Sequence, residues 1–325
     1  MRNILCVTLI ALLGGCTSTS VTEKYQDKRN DIINVKDKVI EFETGNVLIG
    51  SVSRLYMSNK CLLIADHKSV DKQIHIFNKN DFSYLTSIGN FGEGPEEITV
   101  MGCLAIDEAH HQLYVSDHAK QKIFSYDMDS VMVDSLYKPQ VKTAMNETLF
   151  PSEYQYINDT LSIAVLIKPT STSTFNQFLG RWNMNTGEMI PMKYTHPDIQ
   201  KKRITFAASE KAGIYVECYT RHDLMTICSL DGELLYNIYG PDWDGGNGNK
   251  LQSFGTVMIG NDKIFVSYCG EDYARDSFPT KILVFDLEGN YLKTLETGYK
   301  ISDCCYDSFN NSCLLYTSPS PRDCS

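Results

Sequence analysis

"LYVSDHAKQKIFSYD", Leu113 to Asp127, is an apolar run that stops at Asp117, a polar turn, and a second apolar run that stops at Asp127. Short apolar runs closed by Asp or Asn read as strands ending in turns, because these side chains bond the nearby backbone and tolerate tight bends. The second half of the pattern recurs in "IHIFNKND", "FLGRWNMNTG", "TICSLDGE" and "ILVFDLEGN". The closing residues are Asn78, Asp127, Asn183, Asp231 and Asp286, spaced by 49, 56, 48 and 55 positions with a mean of 52. A strand-like run precedes each (62–65, 113–116, 161–167, 214–217, 264–267) and another follows (84–88, 131–136, 189–192, 234–238, 291–295). Four short strands, A to D, repeated at this period are the signature of propeller blades.

The 297 residues from Cys16 to Ser312 hold about 5.7 such repeats, and "ISDCCYD" begins a sixth by its likeness to "CLAIDEA". The expectation is an all-β, six-bladed β-propeller of four-stranded antiparallel blades over residues 38–312, its sixth blade truncated. Residues 39–42, "VIEF", are expected to add the outer strand that closes blade six, since closure removes sheet edges.

Both ends of the chain read as something other than fold. "MRNILCVTLIALLGGC" joins a basic residue, Arg2, to an apolar run too short to span a bilayer, which is a secretory signal over residues 1–15. Leu13-Gly14-Gly15-Cys16 resembles the bacterial lipobox. That likeness implies a lipidated Cys16, a polar tether over 16–37, a membrane partner through the lipid, and an outer-membrane location facing the periplasm. At the other end, "CLLYTSPSPRD" back-translates residue for residue into a transposase-type sequencing adapter, so 313–325 are expected to be foreign to the protein.

A net charge of −10 with no basic block excludes nucleic acid as a partner. Seven cysteines (Cys61, Cys103, Cys218, Cys228, Cys269, Cys304, Cys305) remain once the ends are set aside; they show no zinc spacing and read as buried strand thiols, with a disulfide possible but not assignable.

"LYVSDHAKQKIFSYD" resembles the NHL-type propeller repeat, and "GNFGEGPEEI" is similar to the Gly-x-Gly-Pro loop of TolB-like six-bladed propeller lipoproteins of Bacteroidetes. The resemblance implies an envelope propeller without a defined activity. Blade three departs from it, because "LSIAVLIKP" lacks the terminal Asp.

In antiparallel blades the D–A and B–C loops share one face. "NFGEGPEE", Asn90–Glu97, is a D–A loop there; lacking a following Lys and carrying three glutamates, it reads as a turn rather than a phosphate cradle. The same face gathers His67, His118, Arg221, His222, Glu271 and Arg275 in B–C loops and Trp243 in a D–A loop, and these are the candidate ligand-binding residues. The histidines read as solvated loop residues, ligand contacts or metal ligands; Trp243 reads as a stacking surface or as packing between blades, and Tyr219 and Tyr273 share that ambiguity. Asp242, Asp244, Asn247 and Asn249 could offer oxygens to calcium, but without the terminal Glu of an EF-hand loop they read as a flexible turn. No GxSxG, HExxH or Walker pattern occurs, so no catalytic residue, metal or cofactor is assigned. The chain therefore reads as a non-enzymatic binding or interaction module for a peptide, glycan or envelope protein. The alternatives are a periplasmic lyase or glycoside hydrolase that uses the loop-face histidines and carboxylates, and an inert scaffold.

Overall fold

The computed structural model describes residues 22–134, 136–199, 202–246, 250–275 and 277–317; residues 1–15, read above as a signal, together with Cys16 and residues 318–325 lie outside them. Two short strands, β1 (Glu23–Tyr25) and β2 (Ile32–Asn34), precede the first blade. Blade one is β3 (Ser53–Met57), β4 (Cys61–Asp66), β5 (Lys72–Asn78) and β6 (Tyr84–Asn90). Blade two is β7 (Met101–Asp107), β8 (Gln112–Asp117), β9 (Lys122–Asp127) and β10 (Gln140–Ala144), with helix α1 (Met128–Val133) between the last two. Blade three is β11 (Phe150–Asn158), β12 (Leu161–Pro169), β13 (Phe175–Trp182) and β14 (Met189–Pro191). Blade four is β15 (Ile204–Ser209), β16 (Ile214–Tyr219), β17 (Leu224–Ser229) and β18 (Leu234–Tyr239). Blade five is β19 (Leu251–Gly260), β20 (Lys263–Asp272), β21 (Lys281–Asp286) and β22 (Tyr291–Glu296). A sixth sheet pairs β23 (Ile301–Asp307) with β24 (Ser312–Thr317).

The fold is thus an all-β propeller of four-stranded antiparallel sheets, with two strands of the sixth blade among the described residues. Leu62, Leu63, Ile64 and Ala65 are all buried, although strand neighbours point to opposite faces. Each blade is covered on both sides by its neighbours, so its B strand is buried on both faces instead of alternating, and a charged exception, Glu217 in β16, is ion-paired with Lys202 at 2.9 Å. Six hydrophobic clusters follow, one per junction between neighbouring blades. Leu55, Leu62, Ile64 and Phe77 of blade one meet Cys305 and Leu314 of the sixth sheet, while Met258 and Ile282 of blade five meet its other side at Ile301 and Cys304. Asp303 ties both neighbours to the sixth sheet, accepting from Leu55 N at 2.7 Å and Thr256 Oγ1 at 2.6 Å. Lys79 Nζ reaches Asp307 Oδ1 at 2.9 Å in a buried ion pair across the blade-one junction.

The repeated Asp and Asn residues are turn caps. Asn78 Oδ1 accepts from Asn80 N at 2.9 Å, and Asp286 Oδ1 from Asn290 N at 2.8 Å. The Asp at the end of strand B holds the preceding D–A loop: Asp66 accepts from Gly50 N at 2.7 Å, and Asp117 from Thr99 N at 2.8 Å. Blade three, which lacks that Asp, closes its B–C loop with hydroxyls, Thr170 and Ser171 each bonding Thr174 Oγ1 at 2.7 Å.

Two expectations need correction. Strand D of blade two, expected over 131–136, does not begin there: Asp127 accepts from Ser130 N at 2.7 Å, caps α1, which takes in residues 131–133, and delays strand D to β10, which also explains the 56-residue spacing. Residues 39–42 pair with no sheet; Ile40 is 89% exposed and Phe42 stacks on Phe82. Within the stretch read as a tether, two short strands join the rim, β1 adding in parallel to β18 and β2 in parallel to β22. At the far end, Cys313–Thr317 of the adapter-like stretch lie in β24, since "CLLYT" has the apolar character that pairs with β23.

Candidate functional site

"NFGEGPEE" folds as a closed turn. Phe91 and Ile98 bridge, Gly92 N reaches Ile98 O at 3.1 Å, and Glu97 turns back to accept from Gly94 N at 2.8 Å. A Cβ on Gly92 would fall 2.0 Å from Glu97 Oε2, so a larger residue there would displace the Glu97 carboxylate from Gly94 N. The carbonyls, not the amides, face inward, and Lys120 Nζ occupies them at 2.5 Å from Gly94 O and 2.6 Å from Glu97 O. A ring of carbonyls already filled by an ammonium has nothing to offer a phosphate.

The loop's outer side borders the most chemically varied part of the molecule. The inner strands β3, β7, β11, β15, β19 and β23 surround a central channel of about 870 Å³. At its D–A/B–C mouth a second cavity, of about 530 Å³, is lined by His67, His118, Arg54, Glu153, Gln73 and Phe91, among others. Arg54 of β3 and Glu153 of β11 reach across from blades one and three, Nη2 to Oε1 at 2.8 Å, and border both spaces. Their side chains remain 45% and 37% exposed because the channel itself is open to solvent. Burial opposes the charge on Arg54, but Glu153, Tyr56 and Asp303 together outweigh it and hold the guanidinium protonated.

His67 and His118 are half-buried rather than solvated. Burial is the main influence on both and lowers their proton affinity; for His67 the Arg54 charge adds to this, and for His118 the Asp117 and Glu153 carboxylates partly oppose it. His67 Nδ1 lies 3.2 Å from Met101 O. His118 packs over Gly102, where a Cβ would sit 2.5 Å from its Nε2. Deeper in the channel, burial raises the Asp303 carboxyl above its usual range.

The other candidates lie apart from this mouth. His222 and Trp243 join His196, Tyr219 and Tyr239 in an aromatic cluster around the junction of blades three and four, with Trp243 centroids 5.0 Å from Tyr239 and 5.7 Å from His196. Trp243 is therefore half-buried packing and not a free stacking surface. His196 Nε2 meets Tyr239 Oη at 2.9 Å, and Tyr239 donates to Glu23 of the rim strand β1 at 2.5 Å. Arg221 stacks on Tyr273, 3.0 Å from the ring centroid, and Glu271 and Arg275 are exposed at the edge of blade five. The three histidines read together from the sequence do not converge. Among the described residues, the group able to bring three ligand atoms within 4.8 Å is Asp107, His110 and Asp159, which contains none of them and lies on the opposite, A–B face. There the hydrogen bond to Asp107 raises the His110 imidazole, so the trio is an ion-paired cluster. Of the proposed calcium ligands, Asn247 and Asn249 lie outside the described residues; Asp242 Oδ2 accepts from Tyr268 Oη at 3.3 Å.

Sequence reasoning missed Arg54, Gln73, Glu153 and Asp303. For Arg54, Glu153 and Asp303 the available signal was a charged residue inside an A strand, as in "SRLYM" and "FPSEYQYIN", because A strands line the channel; Gln73, an uncharged residue of β5, gave no such signal.

Residues 17–177 match the family described as DUF5128, 6-bladed beta-propeller. Among solved structures, the chain is similar to a member of the duf4221 family from Bacteroides vulgatus ATCC 8482 (TM-score 0.52, 10% identity, 74% of this chain and 80% of that one). It is similar to a protein of Bacteroides fragilis NCTC 9343 described as exported (0.52, 14%, 85% and 80%), and to a luciferin-regenerating enzyme (0.53, 8%, 82% and 84%). No curated protein matches it. At such identities the likeness speaks for the fold alone. Repeat, sheet order and these matches agree that the chain is an all-β propeller protein, similar over residues 17–177 to a six-bladed family.

Proposed function

We propose that the protein is a non-enzymatic binding module of the cell envelope, a TolB-like or NHL-like lipoprotein anchored through Cys16 to the outer membrane, with its ligand taken at the channel mouth. The observation that carries this reading is the 530 Å³ cavity where blades one to three place His67, His118, Arg54 and Glu153 beneath an apolar rim of Val52, Phe91 and Val100. A concave, part-apolar pocket of this size with a few converging polar groups is the usual form of a small-ligand site. Burial keeps both imidazoles neutral, so they direct hydrogen bonds without adding charge. The order of basic residue, apolar run, small residues and cysteine at the N-terminus supports the anchor.

The test is a thermal-shift screen of peptides, glycans and small molecules on the full chain, repeated on Phe91→Ala and Arg54→Ala. Stabilisation lost in both variants supports the mouth. Stabilisation that neither variant alters places the ligand elsewhere and rejects it. Membrane fractionation of Cys16→Ala tests the anchor separately, and an unchanged membrane fraction rejects it. The enzymatic alternative, a periplasmic lyase or glycoside hydrolase, draws on the loop-face histidines and carboxylates; His67, His118 and Glu153 line the mouth. Turnover abolished by His118→Gln with binding retained would favour that alternative.

A further inference from the structure

The A–B face, opposite the mouth, carries a group of polar side chains that the proposed function does not use. Asp107 closes β7, His110 stands in the turn that follows it, and Asp159 stands in the turn between β11 and β12 of blade three. Asp107 Oδ2 lies 2.8 Å from His110 Nδ1, and that nitrogen lies 3.9 Å from Asp159 Oδ1. One atom from each residue falls within 4.8 Å of the other two. Three atoms this close surround a common point. Small rotations of the two exposed side chains bring them to the roughly 2.0–2.2 Å of zinc–nitrogen and zinc–oxygen bonds.

Both carboxylates are held from behind. The Asp107 side chain is 1% exposed; its Oδ1 accepts from His110 N at 3.1 Å and its Oδ2 from Tyr114 Oη at 3.2 Å. Tyr156 Oη donates to Asp159 Oδ1 at 2.8 Å. Donors placed behind ligating carboxylates fix their orientation, as the outer partners of metal ligands do. The neighbouring junctions show what an ordinary tie between A–B turns looks like. Asn59 N donates to Glu108 at 2.7 Å between blades one and two, Asn158 Nδ2 donates to Glu210 at 3.1 Å between three and four, and Lys211 pairs with Asp262 at 3.7 Å between four and five. Each sets a donor against one carboxylate. Between blades two and three, two carboxylates face one imidazole, and Lys142 Nζ lies 5.5 Å from the Tyr114 ring centroid instead of on either of them. A dication among the three balances this charge. One imidazole nitrogen beside two carboxylate oxygens suits zinc and its first-row neighbours, whereas calcium and magnesium take oxygen ligands. We propose that Asp107, His110 and Asp159 bind a first-row divalent transition metal between blades two and three. Binding displaces to solvent the proton that His110 Nδ1 holds toward Asp107. His110 and Asp159 are 56% and 65% exposed, so the metal keeps an open side for water or an outside ligand.

Calorimetry of the EDTA-stripped full chain with Zn²⁺ tests this, with Ca²⁺ and Mg²⁺ run beside it and Co²⁺ as a spectroscopic probe of nitrogen coordination. His110→Ala and Asp159→Asn alter exposed side chains, and circular dichroism checks that both variants fold. The expected result is one Zn²⁺ per chain that depends on both residues, with affinity weakened about tenfold or more in each variant. Zn²⁺ should also raise the melting temperature of the parent chain and not of the variants. No saturable Zn²⁺ binding, or binding that both variants retain in full, overturns the site. Loss in only one variant overturns the bridge between blades. Ca²⁺ or Mg²⁺ bound as tightly as Zn²⁺ overturns the transition-metal assignment.

Discussion

Replacing Arg29 by alanine should cost far more than a surface arginine would. Arg29 follows β1 and enters blade four, where Nη1 meets Asp223 Oδ1 at 2.7 Å with the side chains 7% and 0% exposed. Its Nε donates to Gln26 Oε1 at 3.0 Å, and the guanidinium sits 5.5 Å from the Tyr268 ring and 5.7 Å from those of Phe254 and Phe285. Alanine leaves the Asp223 carboxylate buried with weaker partners, Asp242 N at 3.2 Å and Tyr268 Oη at 3.4 Å. Stranding one half of a buried pair costs about 3–5 kcal/mol. The penalty should also depend on pH. Burial already raises the Asp223 carboxyl above 3.8 against the pull of Arg29, and removing the arginine raises it further. A carboxyl raised in the folded state stabilises most below its unfolded value and loses that contribution as pH rises through the folded value. The Arg29→Ala penalty, measured by urea titration against the parent protein at each pH, should therefore be largest at neutral pH and shrink toward pH 4. Arg29→Ala/Asp223→Asn should recover part of it in a double-mutant cycle. A penalty below about 1 kcal/mol at pH 7, or one that does not change with pH, would refute the argument.

Two further outcomes are expected. Burial is the main cause lowering His67, His75, His118, His196 and His222 below 6.5, so their contribution to stability is present above that value and is lost as pH falls through the lowered folded values. Melting temperature should drop between pH 7 and 5, with a shallower drop in His118→Gln; a flat profile contradicts it. The buried cysteines are free thiols, and burial pushes Cys103 up to about 12 and Cys228 to about 11, so Ellman's reagent should leave the buried strand thiols unmodified in the native protein and react fully in denaturant. Rapid native labelling of Cys103 would contradict the packing of blades two and three.

The repeat was legible because every blade solves the same local problem. A strand buried on both sides must be apolar, as "CLLIA" is, and the turn that ends it needs a short oxygen side chain, as Asp66, Asp117 and Asp286 supply. Such demands act within ten residues, so the sequence by itself determined the strands, their period and the face shared by His67, His118 and "NFGEGPEE". It misled where a local pattern has two uses: a capping Asp can open a helix, as Asp127 does, and a polar N-terminal stretch can pair with a sheet edge once a rim is there to receive it, as Glu23–Tyr25 does. Tertiary structure alone decided which loop residues meet. His67 stands near Arg54, thirteen positions away, and Glu153, eighty-six away, whereas Arg221 turns to Tyr273 and Trp243 packs against His196. The closing of the ring brings strand A of every blade to one channel, and that convergence depends on the angle between blades, a quantity fixed by packing across their junctions rather than by any one repeat.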